Sequence, residues 1–211
     1  MYDIIIPSCK SYVDVNLFAA LLKQIDKPGS NYNYIPTGFS VSASVNRNYG
    51  LLQSFQSENE FIIMIDDDIG GFFEGWQDEL SKPLKESSIV LISSARLVTE
   101  HGHLAPMNGP DMNIDKPLSI CKKMVLSAAI AFRKSDIMQN EKLRFCMNMI
   151  GSGWEDTLFC KMFNKIFPDG KFVVNNNCRL IHYHEMKKQA EYFEQNYRVY
   201  LSELRKEGLH E

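Results

Sequence analysis

The feature that most constrains this chain is a run of five large apolar residues that ends in three consecutive aspartates. The run Phe61–Ile65 (FIIMI) is short, apolar and rich in isoleucine, which predicts a buried strand. Asp66, Asp67 and Asp68 follow it directly. Like charges a few ångströms apart raise one another's pKa, and a dry strand behind them makes their ionisation costlier still. A bound Mg²⁺ or Mn²⁺ would offset this repulsion, since both ions prefer oxygen ligands. The alternative is a solvated acidic turn.

Strands and helices alternate along the first half of the chain. Short apolar runs predict strands at residues 2–7, 31–36, 61–65 and 88–97. Apolar residues at helical spacing predict helices over residues 14–25 and 42–55. This alternation predicts an α/β fold with a mainly parallel central sheet flanked by helices. Ligands of such sheets bind beyond the carboxyl ends of the strands, where the three aspartates lie.

The second half of the chain is less regular. Residues 101–117 are rich in Gly, Pro, Asn and Asp and predict a long loop, which in a compact domain is often functional. Apolar runs predict a strand at residues 124–132 and strand-like ends for the segment 171–184. Helices are predicted from about residue 154 to residue 166 and, in the charged tail, over residues 185–209.

Composition and length narrow the class of protein. The chain has 211 residues, of which 45% are hydrophobic and 23% charged, which excludes a disordered or collagen-like protein and suits one domain. No apolar run approaches the roughly 20 residues of a membrane span, and the N-terminal sequence does not resemble a signal peptide. Five scattered cysteines favour free thiols over disulfides or a zinc site. We therefore expect a cytoplasmic protein.

Charge is distributed unevenly along the chain. Residues 1–105 carry 7 Lys/Arg against 13 Asp/Glu, a net charge of −6, whereas residues 106–211 carry 16 against 13, a net charge of +3. One interpretation is that the first half holds a metal ion while the second half meets an anionic partner. The alternative is an ordinary solvated surface.

A second pair of carboxylates follows a glycine-rich turn in the segment GSGWEDTLF. Glu155 and Asp156 fall in the first turn of the helix predicted there. A carboxylate at such a junction of loop and helix can accept a proton from an incoming hydroxyl, as a general base must. Acidic residues also stabilise the start of a helix without doing chemistry, so both interpretations stay open.

Histidines are concentrated in two places. In the segment CRLIHYHE, His182 and His184 would point to one face of a strand, which favours a metal or phosphate role as much as a structural one. His101 and His103 lie in the predicted long loop, where they could contact a substrate.

The order of these motifs resembles that of a glycosyltransferase of the GT-A fold. The shared features are a first strand ending in IIIP, a helix with SVNRNYGL, then FIIMIDDDIGGF, GSGWEDTLF and a late histidine. The chain is most similar to the family 2-type enzymes, and GSGWED and CRLIHYH also resemble galactosyltransferase segments. The resemblance covers roughly residues 2–185.

This resemblance implies one glycosyltransferase domain over residues 1–211. Residues 1–105 would form the nucleotide-sugar half, residues 106–185 the acceptor half and residues 186–211 a C-terminal helix. The implied reaction is metal-dependent transfer of a sugar, from a UDP-sugar by default, to an acceptor hydroxyl with inversion. The implied cofactor is Mn²⁺ or Mg²⁺.

The resemblance also assigns roles to individual residues. Asp66 would face the donor's ribose and, with Asp68, hold the cation, with His182 or His184 as the late metal ligand. Asp156, or else Glu155, would be the base that deprotonates the acceptor. The remaining donor-side residues are Pro7, Ser8, Arg47 and Asp67.

Two departures from the family pattern leave the donor's base open. Lys10 stands where the family's first strand usually continues with Asn, and no acidic residue follows the second predicted strand. The acceptor is open as well: a glycan, a lipid-linked sugar, or the hydroxymethylated bases of DNA as in phage-type DNA glycosyltransferases. Two functions other than sugar transfer also stay open, namely a nucleotidyltransferase and an inactive sugar-binding module.

Overall fold

The structure is a computed structural model that describes residues 1–8, 30–36, 42–105, 112–121, 124–125, 127–183 and 190–210. The strands in these residues are β1 (Tyr2–Ser8), β2 (Asn31–Pro36), β3 (Phe61–Ile65), β4 (Ile69–Gly70), β5 (Val90–Val98), β6 (Leu118–Cys121), β7 (Ala129–Arg133) and β8 (Lys171–His182). The helices are α1 (Ala43–Ser54), α2 (Trp76–Glu86), α3 (Lys134–Met138), α4 (Glu155–Ile166) and α5 (Ala190–Lys206). None of the helices in these residues is long and apolar enough to cross a membrane.

All eight strands form one sheet with the order β2-β1-β3-β7-β5-β8-β4, and β6 pairs with β8. β1 runs parallel to β2 and β3, and β5 runs parallel to β8. β7 is antiparallel to both β3 and β5, so β3 and β5 run in the same direction. The strands that share this direction are β1, β2, β3, β5 and β8. β4 and β6 pair antiparallel to β8. The predicted α/β fold is therefore confirmed, with β7, β4 and β6 as the strands of opposite direction.

Each face of the sheet is covered by helices, so its central strands are apolar on both sides. From β3, Ile63 packs in a core that includes Trp76 of α2, whereas Met64 packs in a second core that includes Phe159 of α4. On the second face α1 lies unusually close to β1, because a Cβ added at Gly50 would stand 2.3 Å from the side chain of Ile5. This close approach carries the polar face of α1 to the carboxyl end of the sheet.

Most predicted elements are confirmed, with boundaries shifted by a residue or two. The strands at residues 2–7, 31–36, 61–65 and 88–97 are present, as are the helices of residues 42–55 and 154–166. The C-terminal helix is described from Ala190 onward. The predicted helix over residues 14–25 lies outside the described residues.

The strand predicted over residues 124–132 is wrong in its first part, because β7 begins only at Ala129. The Ser127 hydroxyl donates a hydrogen bond to Asp156, and the Ala128 carbonyl accepts one from the Asp66 amide at 2.8 Å. Ala128 thus extends the pairing of β7 with β3 by one hydrogen bond, whereas the side chain of Ser127 binds the start of α4. The second part of the apolar run therefore forms β7, and Ser127 in its first part binds a carboxylate of α4.

A buried ion pair closes the amino end of the sheet, opposite to the aspartates. Asp3 of β1 is fully buried, with its Oδ2 atom 2.7 Å from Nζ of Lys134 at the start of α3. The carboxylate also accepts hydrogen bonds from Asn31 at 3.0 Å, Asn59 at 2.9 Å and Ser57 at 2.5 Å. The pair is satisfied from four sides, which is the condition under which a buried charge is tolerated.

We expect Lys134→Met to destabilise the protein by about 3 to 5 kcal/mol, because it leaves the Asp3 charge buried without its partner. The measurement is the free energy of unfolding in urea. The double variant Asp3→Asn/Lys134→Met is the matched control and should recover part of the loss. A single variant as stable as the wild type would contradict this account of the ion pair.

Candidate active site

The three aspartates lie in a tight turn between β3 and β4. The Asp66 amide donates to the Ala128 carbonyl at 2.8 Å, and the Ile69 amide donates to the Asp66 carbonyl at 3.2 Å. The chain then enters β4, where Ile69 is the register partner of His182 at the end of β8. The turn therefore brings a late histidine beside Asp68, 114 residues away in sequence.

Asp68 and His182 form a close pair at this edge of the sheet. Nε2 of His182 lies 3.3 Å from Oδ1 of Asp68, and the amide of Tyr183 donates to the Asp68 carbonyl at 2.9 Å. Burial alone would lower the pKa of His182, but the hydrogen bond and charge of Asp68, together with the charge of Asp66, outweigh it and raise that pKa. The surroundings of this imidazole are thus strongly anionic.

Arg47 of α1 joins the aspartate turn to the start of α4. Its Nη2 atom lies 3.0 Å from Oδ1 of Asp66, while Nη1 lies 2.9 Å from Oε1 of Glu155 and 3.5 Å from Oδ1 of Asp156. The guanidinium also lies over the Phe145 ring, 5.3 Å from its centroid. Burial would lower the pKa of Arg47, but the three carboxylates raise it, so the side chain stays charged. Its two Nη groups are directed to protein carboxylates, whereas Nε is buried and has no hydrogen-bond partner among the described residues.

The same balance of burial and charge acts on Asp66. Burial raises the pKa of Asp66 to about 6; the charge of Arg47 opposes this shift, and Asp68 and Asp156 add to it. Part of its side chain, 28%, is open to solvent. A carboxylate that is costly to ionise and yet reachable from solvent is a good position for a cation.

Glu155 and Asp156 begin α4 but differ in environment. The Glu155 side chain is 4% exposed, bound to Arg47 and to the amide of Gly153. Burial, together with the charge of Asp156, raises the pKa of Glu155 against the opposing charge of Arg47. The Asp156 side chain is 14% exposed and accepts a hydrogen bond from Ser127. Asp156 is therefore the more accessible of the two.

The other predicted donor-side residues gather at the carboxyl end of β1. Ser8 donates to Oδ2 of Asp67 at 2.5 Å, and the Ser8 carbonyl accepts a hydrogen bond from Asn46 of α1 at 3.1 Å. Pro7 lies within β1, in register with Ile35 of β2. The structure thus brings Ser8 and Asp67 together directly. His184 lies outside the described residues.

Comparison with known proteins gives matches in structure only. No protein-family model and no curated protein sequence matches the chain. It is similar to GalNAc-T7 crystallised with UDP, GalNAc and Mn²⁺ (TM-score 0.67, 10% identity, 96% of this chain and 48% of that chain). It is also similar to S. aureus TarS 1-349 in complex with UDP-GlcNAc (TM-score 0.61, 16% identity, 96% of this chain and 66% of that chain). A third similar structure is A197 from STIV (TM-score 0.58, 11% identity, 90% of this chain and 97% of that chain).

The chain has the GT-A glycosyltransferase fold. It spans nearly all of A197 but less than half of the GalNAc-T7 chain and 39% of a longer TarS chain. At these identities the likeness concerns the fold alone, so the function of the candidate site depends on its own residues.

Within the described residues of this GT-A fold, no three histidine, cysteine, aspartate or glutamate side chains are close enough to enclose a metal ion. The charge and chemistry of the site nevertheless fit a divalent cation. Asp66 of the turn and both carboxylates of α4 share the one guanidinium of Arg47. Asp68 is 33% exposed beside the imidazole of His182, so oxygen and nitrogen donors of the kind that Mn²⁺ accepts lie together.

The loop before α4 is held in place by α5. The side-chain amide of Asn196 is fully buried and accepts from the Ile150 amide at 3.0 Å while donating to the carbonyls of Ile150, at 2.8 Å, and Ser152, at 3.3 Å. Trp154 packs against three aromatic rings of the same helix, those of Phe193, Tyr197 and Tyr200. The backbone and the side chains of this loop are therefore both fixed by α5.

Ser127 and two asparagines were missed because their roles depend on distant partners. Ser127, which binds Asp156, is a polar residue inside an apolar run. This interruption of the run was the one sequence feature that could have indicated its role. Asn46 and Asn196 carried no such signal, since an asparagine in an amphipathic helix is usually exposed.

We expect Asn196→Ala to destabilise the loop before α4, because three backbone groups of residues 150–152 lose their partner inside the protein. The cost should be about 1 to 3 kcal/mol, with faster hydrogen exchange at the Ile150 amide. Asn148→Ala is the matched control, since Asn148 makes one long, exposed contact with Glu203. Unchanged exchange at Ile150 would contradict this role of Asn196.

Proposed function

We propose that the protein is a metal-dependent glycosyltransferase that moves a sugar from a nucleotide-sugar donor, a UDP-sugar by default, to an acceptor hydroxyl with inversion. The observation that carries the proposal is the arrangement of Arg47 between two sets of carboxylates in a GT-A fold. One set, at the end of β3, suits a cation and a diphosphate. The other, at the start of α4, suits proton transfer. Structural relatives crystallised with UDP and Mn²⁺ or with UDP-GlcNAc support the donor class.

On the donor side, Asp66, Asp68 and His182 would hold the divalent cation, with His184 kept as a further candidate. Ser8 and Asp67, with Pro7 behind them, would line the nucleotide. A bound cation neutralises the charge of the diphosphate leaving group. The chain's own contribution is to keep Asp66 oriented through Arg47 and to hold the turn against β7.

On the acceptor side, we propose Asp156 as the base. It is the more exposed carboxylate of the pair, whereas both oxygens of Glu155 are used inside the protein by Arg47 and the Gly153 amide. Asp156 would take the proton of the acceptor hydroxyl as its oxygen attacks the anomeric carbon. The bond to the nucleoside diphosphate breaks on the opposite side, which inverts the configuration. Ser127 would orient the Asp156 carboxylate during this step.

The division of the chain stays part of the proposal. Residues 1–105 would bind the donor, residues 106–185 the acceptor, and the helix of residues 186–211 would support the loop before α4 through Asn196. We retain the cytoplasm as the proposed location. A glycan or lipid-linked sugar is the proposed acceptor class, with hydroxymethylated DNA as the alternative.

The donor site can be tested by a thermal-shift screen of nucleotide sugars with and without Mn²⁺. A donor at a hundredfold excess over its Kd stabilises the native state by about 2.7 kcal/mol, which raises the Tm by roughly 5 °C or more. We expect a shift that needs both metal and one donor, and we expect Asp68→Asn to abolish it. Asp169→Asn, on the exposed turn before β8, is the control. No shift with any donor would overturn the proposal.

The base can be tested with Asp156→Asn. Loss of a general base should slow transfer by about 10²- to 10⁴-fold while donor affinity stays close to that of the wild type. The measurements are the initial transfer rate with the donor found above and the donor Kd. Transfer at the wild-type rate would show that another residue is the base, and the rate of Glu155→Gln would then be measured in the same way.

A further inference from the structure

Two arginines lie side by side on neighbouring strands near the carboxyl end of the sheet. Arg96 of β5 and Arg179 of β8 are register partners in a parallel ladder. Their neighbours Leu97 and Leu180 are also paired, and both are buried in the core on the α2 side of the sheet. Because side chains alternate along a strand, both arginines point to the other side. Like charges placed opposite each other in a sheet are destabilising.

A bulge in β8 creates this arginine pair. Ala95 is the partner of Asn175, and the next residue, Arg96, is the partner of Arg179, so residues 176–178 are extra on β8. In regular register Arg96 would face Asn176. That asparagine instead turns to the 113–119 segment and donates to the Asn113 carbonyl at 3.0 Å and the Lys116 carbonyl at 2.7 Å. Bulges of this kind re-aim side chains, often next to functional sites.

Neither arginine has a counter-ion within the part of the chain that the structure describes. No carboxylate there forms an ion pair with Arg96 or Arg179, and Nε of Arg96 is buried without a hydrogen-bond partner. Glu100 lies in the following turn and is exposed. Arg96 is half-buried and Arg179 is exposed, so an anion from outside the protein can reach the pair and offset the repulsion between the two like charges.

The turn after β5 lies against the end of Arg179. A Cβ added at Gly102, whose φ is +79°, would stand 3.1 Å from Nη2 of Arg179. The flanking His101 and His103 are both exposed in this turn. The pair is therefore bordered by two further groups that can donate hydrogen bonds.

We propose that Arg96 and Arg179 form a binding site for a phosphate group, separate from the aspartate turn. Two guanidinium forks on adjacent strands can present parallel N–H donors to phosphate oxygens, which is the geometry in which arginine exceeds lysine. The phosphate is either free in solution or a phosphodiester carried by an acceptor chain. For a phosphodiester of an acceptor the inference rests on the proposed function; for free phosphate it does not, because binding then involves neither the donor nor the metal.

The test is thermal denaturation in EDTA at constant ionic strength, with inorganic phosphate or dimethyl phosphate replacing chloride. Phosphate at about tenfold excess over its Kd should raise the wild-type Tm by about 3 °C. Arg96→Gln and Arg179→Gln should each lose this rise. Without phosphate each variant should be at least as stable as the wild type, because the repulsion is gone. Arg198→Gln, at an exposed pair on α5, is the control and should keep the response.

Three results would overturn the site: no rise of the wild-type Tm with either phosphate compound, both arginine variants responding to phosphate like the wild type, or both losing stability in its absence as purely structural residues would. A response to dimethyl phosphate as well as inorganic phosphate would identify a phosphodiester of an acceptor as the ligand. A response to inorganic phosphate alone would identify free phosphate. Side-chain NMR of the arginine Nε–H groups, with shifts confined to these two residues, distinguishes this site from phosphate bound at the aspartate turn.

Discussion

A single buried guanidinium connects the two chemical parts of this protein. Arg47 is 4% exposed and is shared by Asp66, Glu155 and Asp156, which come from two segments about 90 residues apart. Burial raises the pKa of Asp66 and of Glu155, and the charge of the guanidinium opposes both shifts. Without it all three carboxylates would lose their partner together, and Glu155 would be left as an unpaired buried charge. An ammonium group could not serve in the same way, since it lacks a planar fork that reaches two sides at once.

The fold supplies this guanidinium through a chain of close contacts. Gly50 lets α1 lie against β1, which sets the height of Arg47 above the sheet. β7 runs antiparallel between β3 and β5, and Ala128 just before it fixes the turn of the aspartates by accepting from the Asp66 amide. β4 then pairs with the end of β8 and delivers His182. Each contact is ordinary packing or strand pairing, and their combination concentrates negative charge at one edge.

The sequence patterns predicted the parts of this site that are local. Patterns of about ten residues were enough to predict the strand of residues 61–65, the three aspartates that follow it and the carboxylates at the start of α4. What the patterns missed is long-range: Arg47 bridges segments, Ser127 leaves its apolar run to bind Asp156, and Asn196 reaches back to residues 150–152. The pairing of Arg96 with Arg179 depends on a three-residue bulge in β8. Such a register is set by tertiary contacts, which one amino-acid sequence does not reveal.

The loop before α4 shows why a helix at the far end of the chain matters to the carboxylates. Trp154 has a φ of 70°, a left-handed conformation that is costly for a large side chain and that persists only where the surroundings enforce it. Here Tyr197 and Tyr200 of α5 pack on its ring, and Asn196 fixes the backbone just before it. The strained residue turns the chain so that Glu155, the next residue, enters α4 facing Arg47. The packing of α5 thus offsets the conformational cost at Trp154, and the acidic end of α4 is held toward the guanidinium of Arg47.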